Sequence, residues 1–138
     1  MISYFSEDIE FELNNPVKHS EWIMRIAESE GNSIEDLNYI FCSDSFLHSL
    51  NLEYLNHDTL TDIITFDLRD TNTDPVTADI FISIDRVHEN AIDQGLEFTD
   101  ELDRVMIHGL LHLCGYSDKL ETDKLNMRKK EDACLSLR

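Results

Sequence analysis

The spacing of apolar positions changes several times along this chain, and each change marks an element. After Pro16, a residue suited to the first turn of a helix, Val17, Trp22, Ile23, Ile26 and Ala27 recur at helical intervals until Gly31 and Asn32 stop them. The segment Leu37–Cys42 is short, rich in strand formers and apolar on both faces, as a central strand requires. Ser43 and Asp44 then give an N-cap signal for a short helix carrying Phe46, Leu47 and Leu50. Beyond a loop at Leu55–Leu60, Ile63–Leu68 reads as a strand from its β-branched and aromatic content. A polar turn over Arg69–Thr77 leads into Ala78, Ile80, Ile82 and Ile84, which alternate with Asp79, Phe81, Ser83 and Asp85 in strand period.

Asp85 is expected to cap a helix over Arg86–Gln94 that Gly95 ends, Thr99 to cap the next one, and Glu121–Leu135 to form the last. A first strand is expected around Ile2–Phe11. The order β-α-β-α-β-β-α-α-α predicts an α+β fold, a small mixed sheet of about four strands covered by about five helices. No internal repeat or interdomain linker interrupts it, so residues 1–138 are expected to form one domain.

The helix opened by Thr99 carries the chemistry. His108 and His112 lie four apart and so project from one helical face, one turn from each other. Val105, Met106, Ile107, Leu110, Leu111 and Leu113 surround them with apolar side chains, which marks the helix as buried. An unpaired buried polar group costs roughly 2–7 kcal/mol, so the two rings need partners, and a divalent metal satisfies both through neutral nitrogens. Gly115 supplies a helix stop, and Asp118 beyond it can return to the same point in space. His108, His112 and Asp118 are therefore read as a three-ligand site with room for water in a fourth position. The residue after His108 is Gly109, where H-E-x-x-H peptidases carry the glutamate that serves as general base.

Composition adds two constraints. The net charge is −18, which argues against general nucleic-acid affinity, and against DNA as a partner. Residues 119–138 depart from this balance, with six Lys/Arg against four acids, which reads either as a solvated helix face or as a local basic surface beside an acidic body. Cys42, Cys114 and Cys134 are odd in number, widely spaced and form no C-x-x-C pair, and Cys42 and Cys114, in apolar surroundings, fit buried thiols in a reducing cytoplasm. No apolar run approaches the roughly 20 residues a membrane span needs, and the acidic N-terminus is unlike a signal peptide, so no membrane role is expected.

The segment His108–Tyr116 resembles the H-G-x-L-H-L-x-G-Y-D-H signature of the YbeY family of rRNA-maturation endoribonucleases. Leu50 and Asn51, with Thr61–Phe66, resemble its L-N…T-D-V-L-S-F segment; Ala78–Ile80 resembles its G-D-I strand, and Met127 with Glu131 its terminal helix. The resemblance implies one bound divalent metal per chain, zinc being the expected ion, single-stranded RNA as substrate, and a part in 16S rRNA 3′-end maturation and ribosome quality control. It also implies the ribosome or ribosome-assembly proteins as partners.

Two positions depart from the family pattern. Asp118 stands where the family has its third histidine, and carboxylate is a competent ligand beside two nitrogens. Leu55 aligns with an arginine thought to face the substrate phosphate. His57, in the same loop, is the candidate to take part of that catalytic role when protonated. Thr61, Asp62 and Asp79 are candidates for substrate contact or for supporting a ligating histidine through its second N–H. Arg69, Arg86 and Arg104 are expected at the surface, and Cys114 in packing. Two other functions stay open at this point: a metal-dependent peptidase or amidohydrolase, and a ribosome-associated binding protein whose metal is structural.

Overall fold

The computed structural model describes residues 1–138. Its elements are β1 (Ile2–Glu7), α1 (Pro16–Ser29), β2 (Ile34–Cys42), α2 (Asp44–Leu55), β3 (Ile63–Asp67), β4 (Val76–Ser83), α3 (Ile84–Gln94), α4 (Phe98–Leu113) and α5 (Glu121–Leu135). The strands form one four-stranded sheet in the order β1-β2-β4-β3. β1, β2 and β4 run parallel, while β3 pairs antiparallel with β4, Thr65 opposite Ile80. The expected α+β class, mixed sheet and element order are what the chain adopts.

Boundaries differ where local hydrogen bonds overrule periodicity. β1 ends at Glu7 rather than near Phe11, because Asp8 turns the chain at φ 57°. The Ser6 hydroxyl then donates to the Phe11 carbonyl at 2.6 Å, and Ile9, Phe11 and Leu13 pack on the core from a loop. The cap of α3 is Ser83, whose hydroxyl accepts from the Arg86 N–H at 3.1 Å. Asp85 instead accepts the Asp44 N–H at 2.9 Å and so serves the start of α2. α4 begins at Phe98, one residue before Thr99, with Asp100 and Glu101 in its first turn facing the positive end of the helix dipole.

One sheet face carries Ala78, Ile80 and Ile82 of β4 with Leu37, Tyr39 and Phe41 of β2, all essentially inaccessible, and α4 lies across it. Gly109 is the point of closest approach. A Cβ there would stand 3.0 Å from Cδ1 of both Ile63 and Ile80, so only hydrogen lets the helix settle this close to the sheet. The buried Tyr39 hydroxyl donates to the Met106 carbonyl at 3.0 Å, tying the central strand to the turn of α4 that precedes His108. α5 docks through Met127, Glu131 and Cys134, and the Trp22 indole N–H donates to the Cys134 carbonyl at 2.9 Å. The fold thus fixes α4 from the sheet below and from α5 beside it. No helix is long and apolar enough to cross a membrane.

Candidate metal centre

His108 and His112 reach outward from α4 with their Nε2 atoms 2.9 Å apart. The other nitrogen of each ring is already committed. His108 donates its Nδ1–H to Glu131 Oε2 at 2.6 Å, and His112 donates its Nδ1–H to the Tyr116 carbonyl at 2.9 Å. Those bonds fix the tautomer in which both Nε2 lone pairs face a common point. Burial works against protonation of His108, but the hydrogen bond and charge of Glu131 outweigh it and raise its pKa above the ordinary imidazole value.

The turn after α4 brings in the third group. Gly115 adopts φ 103°, a region that L side chains rarely enter, while Gly115 N–H donates to the His112 carbonyl and Tyr116 N–H to that of Leu111. Asp118 Oδ2 then lies 3.4 Å from His108 Nε2 and 3.3 Å from His112 Nε2. Two further contacts hold the turn: Tyr116 donates its hydroxyl to Glu30 of α1, and Arg69 donates to the Leu113 carbonyl at 2.8 Å.

The donor set suits a divalent ion. Tetrahedral ligands at about 2.0–2.2 Å from a metal stand about 3.3–3.6 Å from each other, so the two carboxylate–imidazole distances already match and the rings need open only slightly. The three side chains keep 22, 31 and 42% of their surface exposed, which leaves an approach from solvent. His108, His112 and Asp118 are thus brought together as a group that could hold a metal ion.

Two cavities meet at this group, sharing Asp62, Ile63, His108 and Asp118 in their walls. The first, of about 560 Å³, adds the loop after α2, including Leu55, His57 and Thr61. That loop is held by the buried Asn51, which donates its side-chain amide to the Thr59 carbonyl at 2.8 Å and accepts the His57 N–H on its own carbonyl. The second, of about 400 Å³, lies toward α3 and α5 and adds Glu101, Arg104, Lys124 and Arg128. Burial lifts the pKa of the Asp62 carboxyl above the ordinary value, outweighing a backbone hydrogen bond and the charges of His108 and Arg86, which lower it.

The other sequence candidates divide. His57, Thr61 and Asp62 face the centre's cavities; Thr61 also donates its hydroxyl to the Ile63 carbonyl at 3.3 Å. Asp79 does not reach the site. It projects from the sheet face opposite α4 and accepts from the Asn38 amide at 3.0 Å. The arginines are not the surface groups expected. Arg69 clamps Asp67 through two bonds and is almost wholly buried, Arg86 joins Asp44 at 2.6 Å, and Arg104 bonds Glu131 at 3.0 Å and Asp132 at 2.7 Å. Cys114 packs against the core as expected.

Sequence reasoning gave Glu131 no role in the site. Its signal was an acid in the stripe Met127, Glu131 and Cys134, the buried positions of α5. An ionised carboxylate in such a stripe implies partners, and here they are Arg104 on one oxygen and His108 on the other.

A sequence profile described as Endoribonuclease YbeY matches residues 2–137. The chain belongs to the endoribonuclease YbeY family. It is 50% identical to the Endoribonuclease YbeY of Flavobacterium psychrophilum over 137 residues, covering 99% of this chain and 96% of that one. The corresponding protein of Bacteroides thetaiotaomicron is 39% identical over 137 residues, covering 99% and 98%. The fold also resembles the solution structure of a Thermotoga maritima protein, with a TM-score of 0.68 at 27% identity over 99% of this chain and 88% of that one.

Proposed function

We propose that this chain is a metal-dependent endoribonuclease that cuts single-stranded RNA, with 16S rRNA 3′-end maturation and ribosome quality control as its setting. The observation that carries the reading is the convergence of His108, His112 and Asp118 between two open cavities, in a chain of this family. Zinc is the ion proposed, bound by those three groups, with the fourth position open. When bound, such an ion polarises a phosphoryl oxygen and makes its water more acidic.

The chain's own residues supply the rest. Glu131 and the Tyr116 carbonyl hold the two imidazoles in the ligating tautomer. Asp62 stands in both cavities with its pKa raised by burial, and is the group proposed to take a proton from the attacking water. His57 and Thr61 line the approach from the α2 loop, where a phosphate would pass. The two cavities leave space for a nucleotide on each side of the scissile bond, and bases must leave a helical stack to enter them, hence the preference for single strands.

The competing functions meet specific obstacles. A peptidase of the H-E-x-x-H type needs a glutamate at position 109, which is pressed against Ile63 and Ile80 of the sheet. A structural metal is normally closed off by four protein ligands, whereas these three are partly exposed beside open cavities. The acidic body, net −18, points to the ribosome or an assembly protein as the source of tight RNA association, in the cytoplasm.

The test is incubation of zinc-loaded protein with labelled single-stranded RNA, duplex RNA and casein. The expected result is endonucleolytic cleavage of the single strand alone, abolished by chelation and by His112→Ala. Casein hydrolysis, or no RNA cleavage by fully loaded protein, overturns the reading.

A further inference from the structure

The face of α5 that meets the centre carries two cations. Lys124, Arg128 and Glu131 recur at i, i+4 and i+7, so they follow one face of the helix, and all three line the cavity of about 400 Å³ on the α3/α5 side. Glu131 stands at the inner end, bonded to His108, with Arg128 one turn further out and Lys124 two. The exposed guanidinium of Arg128 reaches across to α3, where it donates from Nη2 to Gln94 Oε1 at 3.3 Å, and Gln94 lines the same cavity. That bond is long for its kind.

Freedom from acids sets Arg128 apart. The chain has 29 acids against 11 Lys/Arg, and Arg69, Arg86, Arg104, Lys124, Lys130 and Arg138 each meet a carboxylate within 3.5 Å. Lys18, Arg25, Lys119, Arg128 and Lys129 meet none, and of these only Arg128 lines either cavity beside His108 and Asp118. The acids in its cavity are engaged elsewhere: Glu131 with Arg104 and His108, Asp118 with the two ligating imidazoles, and the buried Glu101 with Gln94. Lys124 is tied only to the exposed Glu121 at 3.5 Å, a pair of little worth in water. A free guanidinium beside a metal centre suits a phosphate, whose oxygens its planar fork matches.

We propose that Arg128, backed by Lys124, holds a backbone phosphate of the RNA strand on the α5 side of the scissile bond. The proposal rests on the endoribonuclease reading above. It gives the strand a course, from the α2 loop past the metal ligands and out between α3 and α5. A phosphate contact positions the strand and reads no base, so it carries no sequence preference. It is made equally in substrate and transition state, and therefore acts on KM and not on kcat.

The experiment takes zinc-loaded full-length protein and a fluorescently labelled single-stranded RNA of mixed sequence, and measures binding across a salt series and cleavage in parallel. Arg128→Ala should weaken binding and raise KM about tenfold, the worth of a hydrogen bond between charged groups, with kcat and zinc content unchanged. The slope of log affinity against log salt should flatten by about 0.7, the share of one phosphate on a single strand. Arg128→Lys keeps the charge without the fork, and should recover the slope but only part of the affinity. Lys129→Ala removes the same charge one position along α5, from an exposed side chain outside both cavities, and should leave KM close to that of the wild type. Equal losses in Arg128→Ala and Lys129→Ala would reflect net charge alone and overturn the proposal, as would a fall in kcat at unchanged KM. RNA cleavage with wild-type KM and salt slope in Arg128→Ala removes this contact and leaves the reaction standing. Binding that depends on Arg128 without cleavage of any RNA supports the contact and removes the reaction, and neither binding nor cleavage by the wild type overturns both.

Discussion

The Oε2 atom of Glu131 lies 2.6 Å from Nδ1 of His108, across the packing seam between α5 and α4. Its Oε1 atom accepts from Arg104 at 3.0 Å, so one carboxylate joins a cation to an imidazole. The arginine gives the buried carboxylate a charged partner, and the carboxylate keeps the proton of His108 on Nδ1. The lone pair of Nε2 is thereby left for a metal. The C-terminal helix thus belongs to the site, though it contributes none of the three converging donors.

Glu131→Ala should therefore weaken zinc binding about 10- to 100-fold, the usual cost of removing a partner that orients a ligating histidine. Glu131→Gln, which can still accept from His108, should lose less. Competition titration with a zinc chelator measures both. Wild-type affinity in a folded Glu131→Ala protein would show that His108 needs no such support.

Much of this arrangement was legible because it is local. The His108–His112 spacing, the stop at Gly115 and the return to Asp118 are all set within one helix and its turn. What periodicity missed are contacts between elements distant in sequence. Glu131 meets His108 only after α5 folds back, and Arg69 reaches the end of α4 only once β3 is placed in the sheet. Asp79 shows the opposite error. Its proximity in sequence to Ile80, which packs under α4, says nothing useful, because alternate strand residues face opposite ways. Asp85 lost the cap of α3 to Ser83, two positions earlier, since the helix starts at Ile84, two residues before the Arg86 that the strand alternation through Asp85 implies.

Replacing Asp118 probes the centre from the other side. Asp118→Ala should lower metal affinity strongly, because two imidazoles are too few ligands. Asp118→His should retain binding and shift preference toward zinc over harder ions. Metal titrations of the two variants decide it, and unaltered affinity in Asp118→Ala would remove the carboxylate from the ligand set.

Asp62→Asn separates proton transfer from metal binding. The amide fills the same space but cannot take a proton from water, so kcat should fall about 100- to 10,000-fold while zinc content stays near one per chain. A parallel loss of zinc would instead make Asp62 part of the binding site. Activity near that of the wild type would pass the proton to another group.

A pH effect on stability is expected away from the centre. His19 donates its Nε2–H to Asp103 Oδ1 at 2.7 Å, with both side chains mostly buried. Burial opposes its protonation, but the bond and charge of Asp103 prevail, and its pKa lies above the ordinary 6.5. The folded state thus binds the proton more tightly than the unfolded one. The resulting stabilisation is complete below pH 6.5 and fades as pH rises through the higher folded value. Denaturation of wild type and His19→Gln across a pH series should show the gap widest in mild acid and narrowing in alkali. A gap that widens with pH would reverse the assignment.

The last prediction concerns Leu55, where the family pattern has an arginine. Leu55 ends α2, lines the same cavity as His57 and His112, and remains 44% exposed. Its position is fixed rather than floppy, because Asn56 adopts a left-handed cap and Asn51 holds the loop at Thr59 and His57. Leu55→Arg therefore places a guanidinium on an ordered wall facing the substrate path. Charge builds on the phosphoryl oxygens as the bond breaks, and a nearby cation lowers that barrier. A pre-organised donor supplies about 100- to 1,000-fold; one added without supporting partners should give on the order of tenfold in kcat/KM on single-stranded RNA. Zinc content should not change. Net charge also rises by this substitution, so Ile92→Arg, on the exposed face of α3, provides the control. A gain confined to Leu55→Arg places this wall against the scissile phosphate. An equal gain in both variants would reflect attraction of RNA to a less acidic protein, and no gain in either would mean the substrate follows another path.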